Sequence, residues 1–402
     1  MTTLEQPNPN EIVSIVEKYF TAQEVMWGDN KQNFLARFRG DLRMDSVEAF
    51  DGMSAALRSH KIQPLFRIEE GRQTVLLIKG IIEPEESNPW INVGLFFATL
   101  LSMLLIGAAN VYEGPVADNM LQLYGQLMLH LGSGWPYAGS LLAILLAHEF
   151  GHYFAGRYHK TAVTLPYFIP LPLIGGFGTL GAAIRLKEPP KNKRVLLDIG
   201  IAGPLAGLVV AIPIVLFGLI NSDLGVISEG SVMEGNSIIY LLAKYIAHGE
   251  LLPAPISYGD VNPILFWIKY IFTGLPFPIG GKDVLLNPVA WAGWAGLLVT
   301  AINLIPTGQL DGGHTLYALI GEKVSKLRPY VLGVLLAMGF LYSGWWLWAM
   351  LIYFLGRFHA QPYDQITQLD SNRKILAVIT LIIFILVFIP VPLRLLAPAA
   401  GL

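Results

Sequence analysis

The chain has 402 residues, of which 53% are hydrophobic and only 14% are charged, whereas ordinary soluble domains carry roughly 25% charged residues. The net charge of −2 comes without a basic or aromatic stripe, which argues against a nucleic-acid partner. The absence of cysteine excludes disulfides and thiolate metal sites. This composition predicts a polytopic α-helical membrane protein with some soluble mass.

Residues 1–89 are predicted to form a small soluble α/β module. The N-terminus resembles neither a secretory signal, which needs a basic start and an apolar core, nor an arginine-rich transit peptide. Periodicity and capping residues predict helices at Asn10–Phe20 and Asp45–His60 and strands at Phe34–Gly40, Ile62–Arg67 and Gln73–Lys79. The module shows no catalytic cluster. A structural role is expected, with a regulatory or substrate-recruiting role as the alternative.

The rest of the chain divides into a predicted core at 90–321 and additional C-terminal transmembrane helices at 322–402. Apolar segments of roughly bilayer length are predicted at Trp90–Ala109, Tyr137–Arg157, Val195–Ile220, Asn287–Pro306 and Ile375–Leu396. Interfacial helices are predicted at Ser237–His248 and Pro263–Phe272. Tyr330–Phe358 is either one long span or two short ones hinged near Ser343–Gly344. Gly203 and Gly207 have the close-packing G-x-x-x-G spacing, although incidental small residues would give the same pattern.

The distribution of basic residues predicts the orientation. Residues 1–89 carry ten Lys and Arg and the 157–194 loop carries seven, whereas the stretch between them carries none. Both basic regions are therefore expected on the cytoplasmic side. His148 lies nine residues before Arg157, about 13 Å along a helix, which places it just beneath that face.

The strongest chemical signal is His148-Glu149-Phe150-Gly151-His152. Histidines four residues apart share one face of a helix and can bind one Zn²⁺. Glu149 can take a proton from a water molecule that the metal activates. The alternative is a pair of packed core histidines, but unpaired imidazoles and a carboxylate are costly at membrane depth.

A catalytic zinc site needs a third protein ligand, and the best candidate is Asp311. It lies just after the Asn287–Pro306 segment, beyond a break at Pro306-Thr307-Gly308, and it is the only carboxylate between Asp283 and Glu322. Asp311 and the two histidines all lie near the cytoplasmic ends of their predicted segments, so their side chains can meet at the same depth in the membrane. A turn aspartate before Gly312-Gly313 is the alternative. His314 is a weaker competing ligand, expected instead near the surface or around the site.

Two motifs of this chain resemble those of the site-2 protease family of intramembrane zinc metalloproteases. The first motif is His148, Glu149 and His152, and the second is Asn303, Pro306, Leu310, Asp311 and Gly312. The resemblance implies one zinc per chain, bound by His148, His152 and Asp311, with Glu149 as general base. Asn303 would hold the substrate backbone or the oxyanion. The module at 1–89 and the absence of a PDZ-like insert are similar to the plastid-type branch and its bacterial relatives. A multi-pass protein of the bacterial cell membrane is expected, with its module and active-site side cytoplasmic.

Thr161–Leu186 is apolar but cannot form a membrane helix. It is interrupted by Pro166, Pro170, Pro172, Gly175, Gly176, Gly178 and Gly181. Irregular backbone at membrane depth must be buried in protein or line a cavity. The resemblance implies a re-entrant hairpin with a free strand edge, to which an unwound substrate could add as a strand. An interfacial loop is the alternative.

The expected activity is hydrolysis of peptide bonds in or near transmembrane segments of single-span membrane proteins within the lipid bilayer. A transporter that uses the His148, His152 and Asp311 site for Zn²⁺ or protons is a competing hypothesis, although the chain lacks the repeated halves typical of transporters. A catalytically inactive membrane scaffold is another. No feature of the sequence predicts an oligomeric state.

Overall fold

The computed structural model describes residues 8–28, 34–172, 176–276, 278–355 and 361–396. Its helices are α1 (Pro9–Glu17), α2 (Ser46–Leu57), α3 (Pro89–Asn110), α4 (Met120–Leu129), α5 (Trp135–Tyr158), α6 (Lys193–Ile220), α7 (Ile238–His248), α8 (Pro263–Thr273), α9 (Pro288–Asn303), α10 (Asp311–Ile320), α11 (Arg328–Met338), α12 (Gly344–Leu355) and α13 (Ser371–Val387). Its strands are β1 (Phe20–Trp27), β2 (Ala36–Leu42), β3 (Ile62–Glu69), β4 (Arg72–Lys79), β5 (Tyr167–Pro170), β6 (Thr179–Ala183), β7 (Asp223–Val226), β8 (Val232–Glu234), β9 (Lys282–Leu285) and β10 (Leu393–Leu395).

The N-terminal residues form a four-stranded antiparallel sheet in the order β1-β2-β4-β3, packed against α1 and α2. The second helix begins at Ser46 and is capped by Asp45, whose side chain accepts a hydrogen bond from the Val47 N–H, as its capping pattern predicts. The first helix ends at Glu17 rather than Phe20, because Phe20 already pairs with Leu42 in the sheet. Strand β1 was not predicted, since most of its side chains are exposed and give no alternation.

A segment from the far end of the chain completes this sheet. The Phe66 N–H of β3 donates to the Tyr363 carbonyl at 2.9 Å, and the Gln365 N–H donates back to the Phe66 carbonyl at 3.0 Å. The side chains of Tyr363 and Ile366 join the hydrophobic core of the N-terminal sheet. On its other side, the segment bonds the chain just before α6, where the Tyr363 N–H donates to the Pro190 carbonyl. The N-terminal module is therefore attached to the helical core by backbone hydrogen bonds on both sides of this segment.

The centre of the core is the group α5, α6 and α9, which pack closely because glycines lie at their contacts. A Cβ at Gly151 of α5 would lie 2.5 Å from the Ala202 carbonyl oxygen of α6, and one at Gly293 of α9 would lie 2.7 Å from the Val215 Cα. Asn92 of α3 donates to the Leu165 and Pro166 carbonyls, directly before β5. These contacts place the metal-binding motif of α5 directly against α6.

Two described helices, α3 and α6, are long and apolar enough to cross a bilayer. The region predicted as one or two spans at 330–358 forms two helices, α11 and α12, with 11 and 12 residues. Each is about 16–18 Å long, against roughly 30 Å of hydrocarbon. Helix α4 lies in a stretch predicted as a loop, and α13 ends at Val387, nine residues earlier than predicted. The full polytopic arrangement and the division at residues 89 and 321 stay predictions.

Candidate metal centre

The two histidines of the motif lie on one face of α5, as their four-residue spacing predicts. His148 is 3% exposed and His152 is 6% exposed. Their Nε2 atoms lie 3.3 Å apart. Both rings therefore direct the same nitrogen to one point inside the protein.

The Asp311 carboxylate faces the same point as the two histidines, from a different helix. It is the first residue of α10, and its Oδ2 lies 3.3 Å from Nε2 of His148 and 3.3 Å from Nε2 of His152. The three atoms form a triangle with equal sides. His148, His152 and Asp311 are the group of described residues that could hold a metal ion.

The triangle matches the coordination chemistry of zinc. Zinc binds imidazole nitrogen and carboxylate oxygen at about 2.0–2.1 Å in a tetrahedral arrangement, which separates neighbouring ligand atoms by about 3.3–3.4 Å. The observed separations have this value. Three protein ligands also leave the fourth position open, which is typical of catalytic rather than structural zinc sites.

The backbone of α6 orients the His152 ring. Nδ1 of His152 donates to the Ile199 carbonyl at 2.7 Å, which leaves Nε2 as the unprotonated, metal-facing nitrogen. Two glycines of α6 leave room for the rings. A Cβ at Gly203 would lie 2.1 Å from Nε2 of His152, and one at Gly207 would lie 3.3 Å from Nδ1 of His148.

The turn before α10 explains how Asp311 reaches this depth. Residues 304–308 fold back on the start of α10, and a Cβ at Gly312 would lie 2.0 Å from the Leu304 carbonyl oxygen. One at Gly313 would lie 2.5 Å from the Gly308 carbonyl oxygen, and Gly308 itself has a φ of 61°. Side chains at these positions would push the turn away, so the glycines after Asp311 are required by close packing.

Glu149 lies beside the triangle with one carboxylate oxygen available. The residue is 3% exposed, and its Oε2 has no hydrogen-bond partner among the described residues. The backbone of Ile184, directly after β6, forms a hydrogen bond with Glu149. Because this unpaired oxygen lies on the same cavity as the three candidate ligands, it is available to a molecule that binds there.

Asn303 and His314, both named from the sequence, take different positions. The Asn303 amide Nδ2 lies 3.4 Å from Nε2 of His148, at the last turn of α9. His314 lines the same cavity, whose volume is about 200 Å³, but it is not one of the three clustered ligands. Gln309 also lines the cavity.

The region predicted as a re-entrant hairpin contains the short antiparallel pair β5 and β6. Ala182, Ala183 and Ile184 line the metal cavity, so the strand edge runs past Glu149. Gly175, named in the sequence pattern, lies outside the described residues. Gly178 packs against α3, since a Cβ there would lie 2.8 Å from the Met103 Cα.

Sequence reasoning missed the part that α6 plays in the site. The spacing of Gly203 and Gly207 equals that of the two histidines, but it indicated only close helix packing. The Ile199 carbonyl left no signal, because a backbone group carries no residue-type information. Gln309 lies between Asn303 and Asp311 in the sequence, so its position on the cavity lining could have been predicted from that motif.

Comparison with known proteins agrees with this geometry. The profile of peptidase family M50 matches residues 136–342, a range that contains all three clustered ligands. No solved structure matches the chain.

The chain is also similar to curated plant proteins. It is 27% identical over 368 residues to the probable zinc metalloprotease EGY2, chloroplastic, of Oryza sativa subsp. indica, covering 88% of this chain and 61% of the relative. It is 27% identical over 425 residues to the probable zinc metalloprotease EGY1, chloroplastic, of Arabidopsis thaliana, covering 96% and 72%. The chain thus spans about three fifths of the length of the first of these relatives.

The relatives' names correct one prediction. A bacterial cell membrane was expected, but the matched proteins are named chloroplastic. The bacterial expectation is therefore wrong. The resemblance had been to the plastid-type branch and its bacterial relatives together, and composition alone does not separate the two.

Proposed function

The chain belongs to peptidase family M50, whose profile covers just over half of it, and from this membership we propose that it is a zinc metalloendopeptidase of a plastid membrane. Its substrates would be membrane proteins with single spans, cleaved in or near the membrane. The relatives named as zinc metalloproteases support the cofactor and the reaction class.

One observation carries the proposal: the equal-sided triangle formed by Nε2 of His148, Nε2 of His152 and Oδ2 of Asp311. These atoms come from α5 and α10, which are separated by more than 150 residues of sequence. A structural accident would not bring three metal-binding atoms to tetrahedral spacing with a free carboxylate beside them.

The chain's own residues supply the remaining chemistry. A zinc ion at this position would act as a Lewis acid, polarising the scissile carbonyl and acidifying a water molecule. Oε2 of Glu149 is positioned to take the proton of the attacking water and to return it to the leaving amine. The Ile199 carbonyl holds the proton on Nδ1 of His152, so this histidine remains a ligand rather than becoming a competing acid.

Asn303 is suited to stabilise negative charge on the substrate. Its Nδ2 donors lie next to His148 at the rim of the cavity. An amide donor aimed at the developing oxyanion is worth about 3–4 kcal/mol in well-studied hydrolases. Asn303 would accordingly hold the substrate carbonyl while Glu149 moves the proton.

The substrate would reach this centre as an extended strand. A helical peptide bond is already hydrogen-bonded, so the substrate span must unwind before cleavage. The backbone of Ala182–Ile184 beside Glu149 offers a strand edge along which an unwound segment could pair. Glycine, proline or polar residues in the substrate span should therefore favour cleavage.

The decisive test compares the wild-type chain with Glu149→Gln in a cleavage assay on single-span substrates. The variant should lose cleavage but keep about one zinc per chain, because the three ligands are untouched. Glu229→Gln, at an exposed turn, serves as the matched control and should cleave normally. A transporter would keep its ion flux in Glu149→Gln, and an inactive scaffold would show no cleavage in the wild type; either result would refute the proposal.

A further inference from the structure

A second, larger cavity lies between the N-terminal sheet domain and the membrane core. Its volume is about 630 Å³, within the range of roughly 300–1,000 Å³ typical of small-molecule sites. Six parts of the chain line it: α2 with Arg58 directly after it, the start of β3, the linker after β4, residues 160–161 after α5, residues 188–191 before α6, and Tyr363. It is separate from the metal cavity, with which it shares no lining residue.

Hydrogen-bond donors face this cavity without acceptors. Arg58 and Lys160 line it, and neither has a carboxylate within 4.0 Å or a side-chain hydrogen bond among the described residues. The Ser54 hydroxyl also lies on the lining, is buried, and has no hydrogen-bond partner among the described residues. The Tyr363 hydroxyl has no side-chain partner there either. Four donor groups of three chemical types therefore surround one space.

Two of the three carboxylates on the lining already accept a hydrogen bond. Asp51 accepts from Lys191 at 3.0 Å, and Glu188 accepts from the Ala162 backbone N–H at 2.8 Å. Burial, together with the charge of Glu188, raises the pKa of Tyr363 to about 12, so its hydroxyl remains a donor at neutral pH. Glu83, exposed on the linker, is the third carboxylate. Together with Glu188 it offsets the formal charge of Arg58 and Lys160, so recognition of an anion rests on the positions of the donors and not on an excess of positive charge.

We propose that this cavity binds a small phosphate-bearing anion. Guanidinium, ammonium and hydroxyl donors converging on one space are the groups that recognise phosphate oxygens. The phosphate could belong to a soluble molecule or to the headgroup of an anionic lipid, because Lys160 directly follows a helix of the membrane core. Phe50 and Tyr363 stack on the same lining, with ring centroids 6.1 Å apart, and provide an apolar wall beside the donors.

Such a ligand would contact both parts of the molecule at once. Arg58 and Ser54 belong to the N-terminal domain, whereas Lys160 follows the helix that carries His148 and His152 by two residues. Binding would thereby join the module to the end of that helix. This site does not depend on the proposed proteolysis, and its test does not require cleavage.

The test measures protection of Lys160 from acetylation in the full chain, quantified by mass spectrometry. One arm titrates inorganic pyrophosphate into protein in neutral maltoside micelles. The other compares nanodiscs of phosphatidylcholine with nanodiscs that also contain phosphatidylglycerol, without added phosphate. Lys18, exposed at the end of α1, reports general reactivity. Saturable protection of Lys160 but not Lys18 by pyrophosphate indicates a soluble ligand; protection only by phosphatidylglycerol indicates a lipid headgroup.

Variants distinguish this cavity from general charge attraction. Arg58→Gln should weaken protection roughly tenfold, since it removes a charge-assisted hydrogen bond. Ala55→Trp fills the cavity from an exposed position of α2 and should abolish protection without disturbing the core. Arg72→Gln makes the same charge change on exposed β4 and should leave protection unchanged. Absence of protection in both arms, or an equal loss in Arg72→Gln, would overturn the proposal.

Discussion

Gly203 of α6 lies directly against the imidazole of His152, so close that a methyl group on its Cα would fall 2.1 Å from Nε2. One turn along, Gly207 faces His148 with a looser separation of 3.3 Å to Nδ1. The helices run antiparallel, and the two four-residue spacings coincide. The metal site is thus shaped as much by missing side chains on α6 as by the ligands on α5.

Gly203→Ala should therefore displace His152 and weaken zinc binding by about 10- to 100-fold, the range observed when the groups that orient a ligand are disturbed. Gly207→Ala should weaken it less, because the His148 ring needs to shift by only a few tenths of an ångström. Zinc content after dialysis against a graded chelator series measures both. Gly333→Ala on α11, where a methyl group meets nothing within 4 Å, is the control. Equal zinc retention in Gly203→Ala and Gly333→Ala would contradict the steric account.

Removing one ligand should separate metal binding from proton transfer. Asp311→Ala leaves two imidazoles, which do not hold catalytic zinc tightly, so the variant should purify with little zinc and remain inactive when zinc is added. Wild-type protein stripped by a chelator should regain cleavage on addition of zinc. Asp223→Ala, at an exposed strand, should behave as wild type. Stoichiometric zinc in Asp311→Ala would exclude Asp311 as a ligand.

Arg67 should stabilise the attachment of the N-terminal domain. Its Nη1 donates to the backbone carbonyls of Phe66, Pro362 and Tyr363 at 2.8–3.1 Å. Arg67→Ala removes the hydrogen-bond donor of the Pro362 carbonyl and the second donor of the Phe66 and Tyr363 carbonyls, and leaving a partly buried carbonyl unpaired costs about 1–3 kcal/mol. The thermal unfolding midpoint should fall by several degrees, whereas Arg72→Ala, exposed on the same sheet, should change it little. Identical midpoints in both variants would show that the attachment relies on other contacts.

A buried ion cluster predicts a pH effect. Lys244 of α7 is fully buried and lies 2.8 Å from Glu234 and 2.9 Å from Asp283. Burial raises the pKa of Asp283 to about 6 despite the lysine. Because the folded-state pKa lies above the unfolded value of about 3.9, this group's stabilising contribution is complete below pH 4 and is lost as the pH rises through 6.

Lys244→Met should then destabilise strongly at neutral pH, by about 3–5 kcal/mol, because two buried carboxylates lose their cation. The loss should shrink at pH 5, where protonation neutralises Asp283. Unfolding midpoints at pH 5 and pH 7.5 give the comparison. Lys269→Met on the exposed face of α8 controls for the loss of a surface charge. A pH-independent difference between Lys244→Met and wild type would rule out the charge of Asp283 as its cause.

The site was more predictable than the fold, for a physical reason. His148, Glu149 and His152 lie within one helical turn, and their spacing alone places them on one face. Asp311 followed from chemistry, since a lone carboxylate after an apolar helix needs a partner. The family read from these motifs is confirmed by the profile match, and the expected zinc agrees with the relatives' names.

The remaining features depend on contacts between distant parts of the chain. These contacts join residues that are 47 to 297 positions apart in the sequence. They are the bond of His152 to the Ile199 carbonyl, the close contact of Gly203 with His152, and the pairing of Phe66 with Tyr363. Strand β1 was missed because its register depends on β2 rather than on its own pattern. Local periodicity carries no information about such partners.

The pairing of residues 363–366 with β3 limits how this protein can be truncated or recombined. Tyr363 and Ile366 lie in the hydrophobic core of the N-terminal domain, so a fragment that ends before the helical core would expose the surface that these two side chains cover. A chimera that exchanges the first 89 residues with those of a relative must exchange this distant loop as well. Residues 1–89 and residues 363–366 should therefore vary together in related proteins, because each set packs against the other.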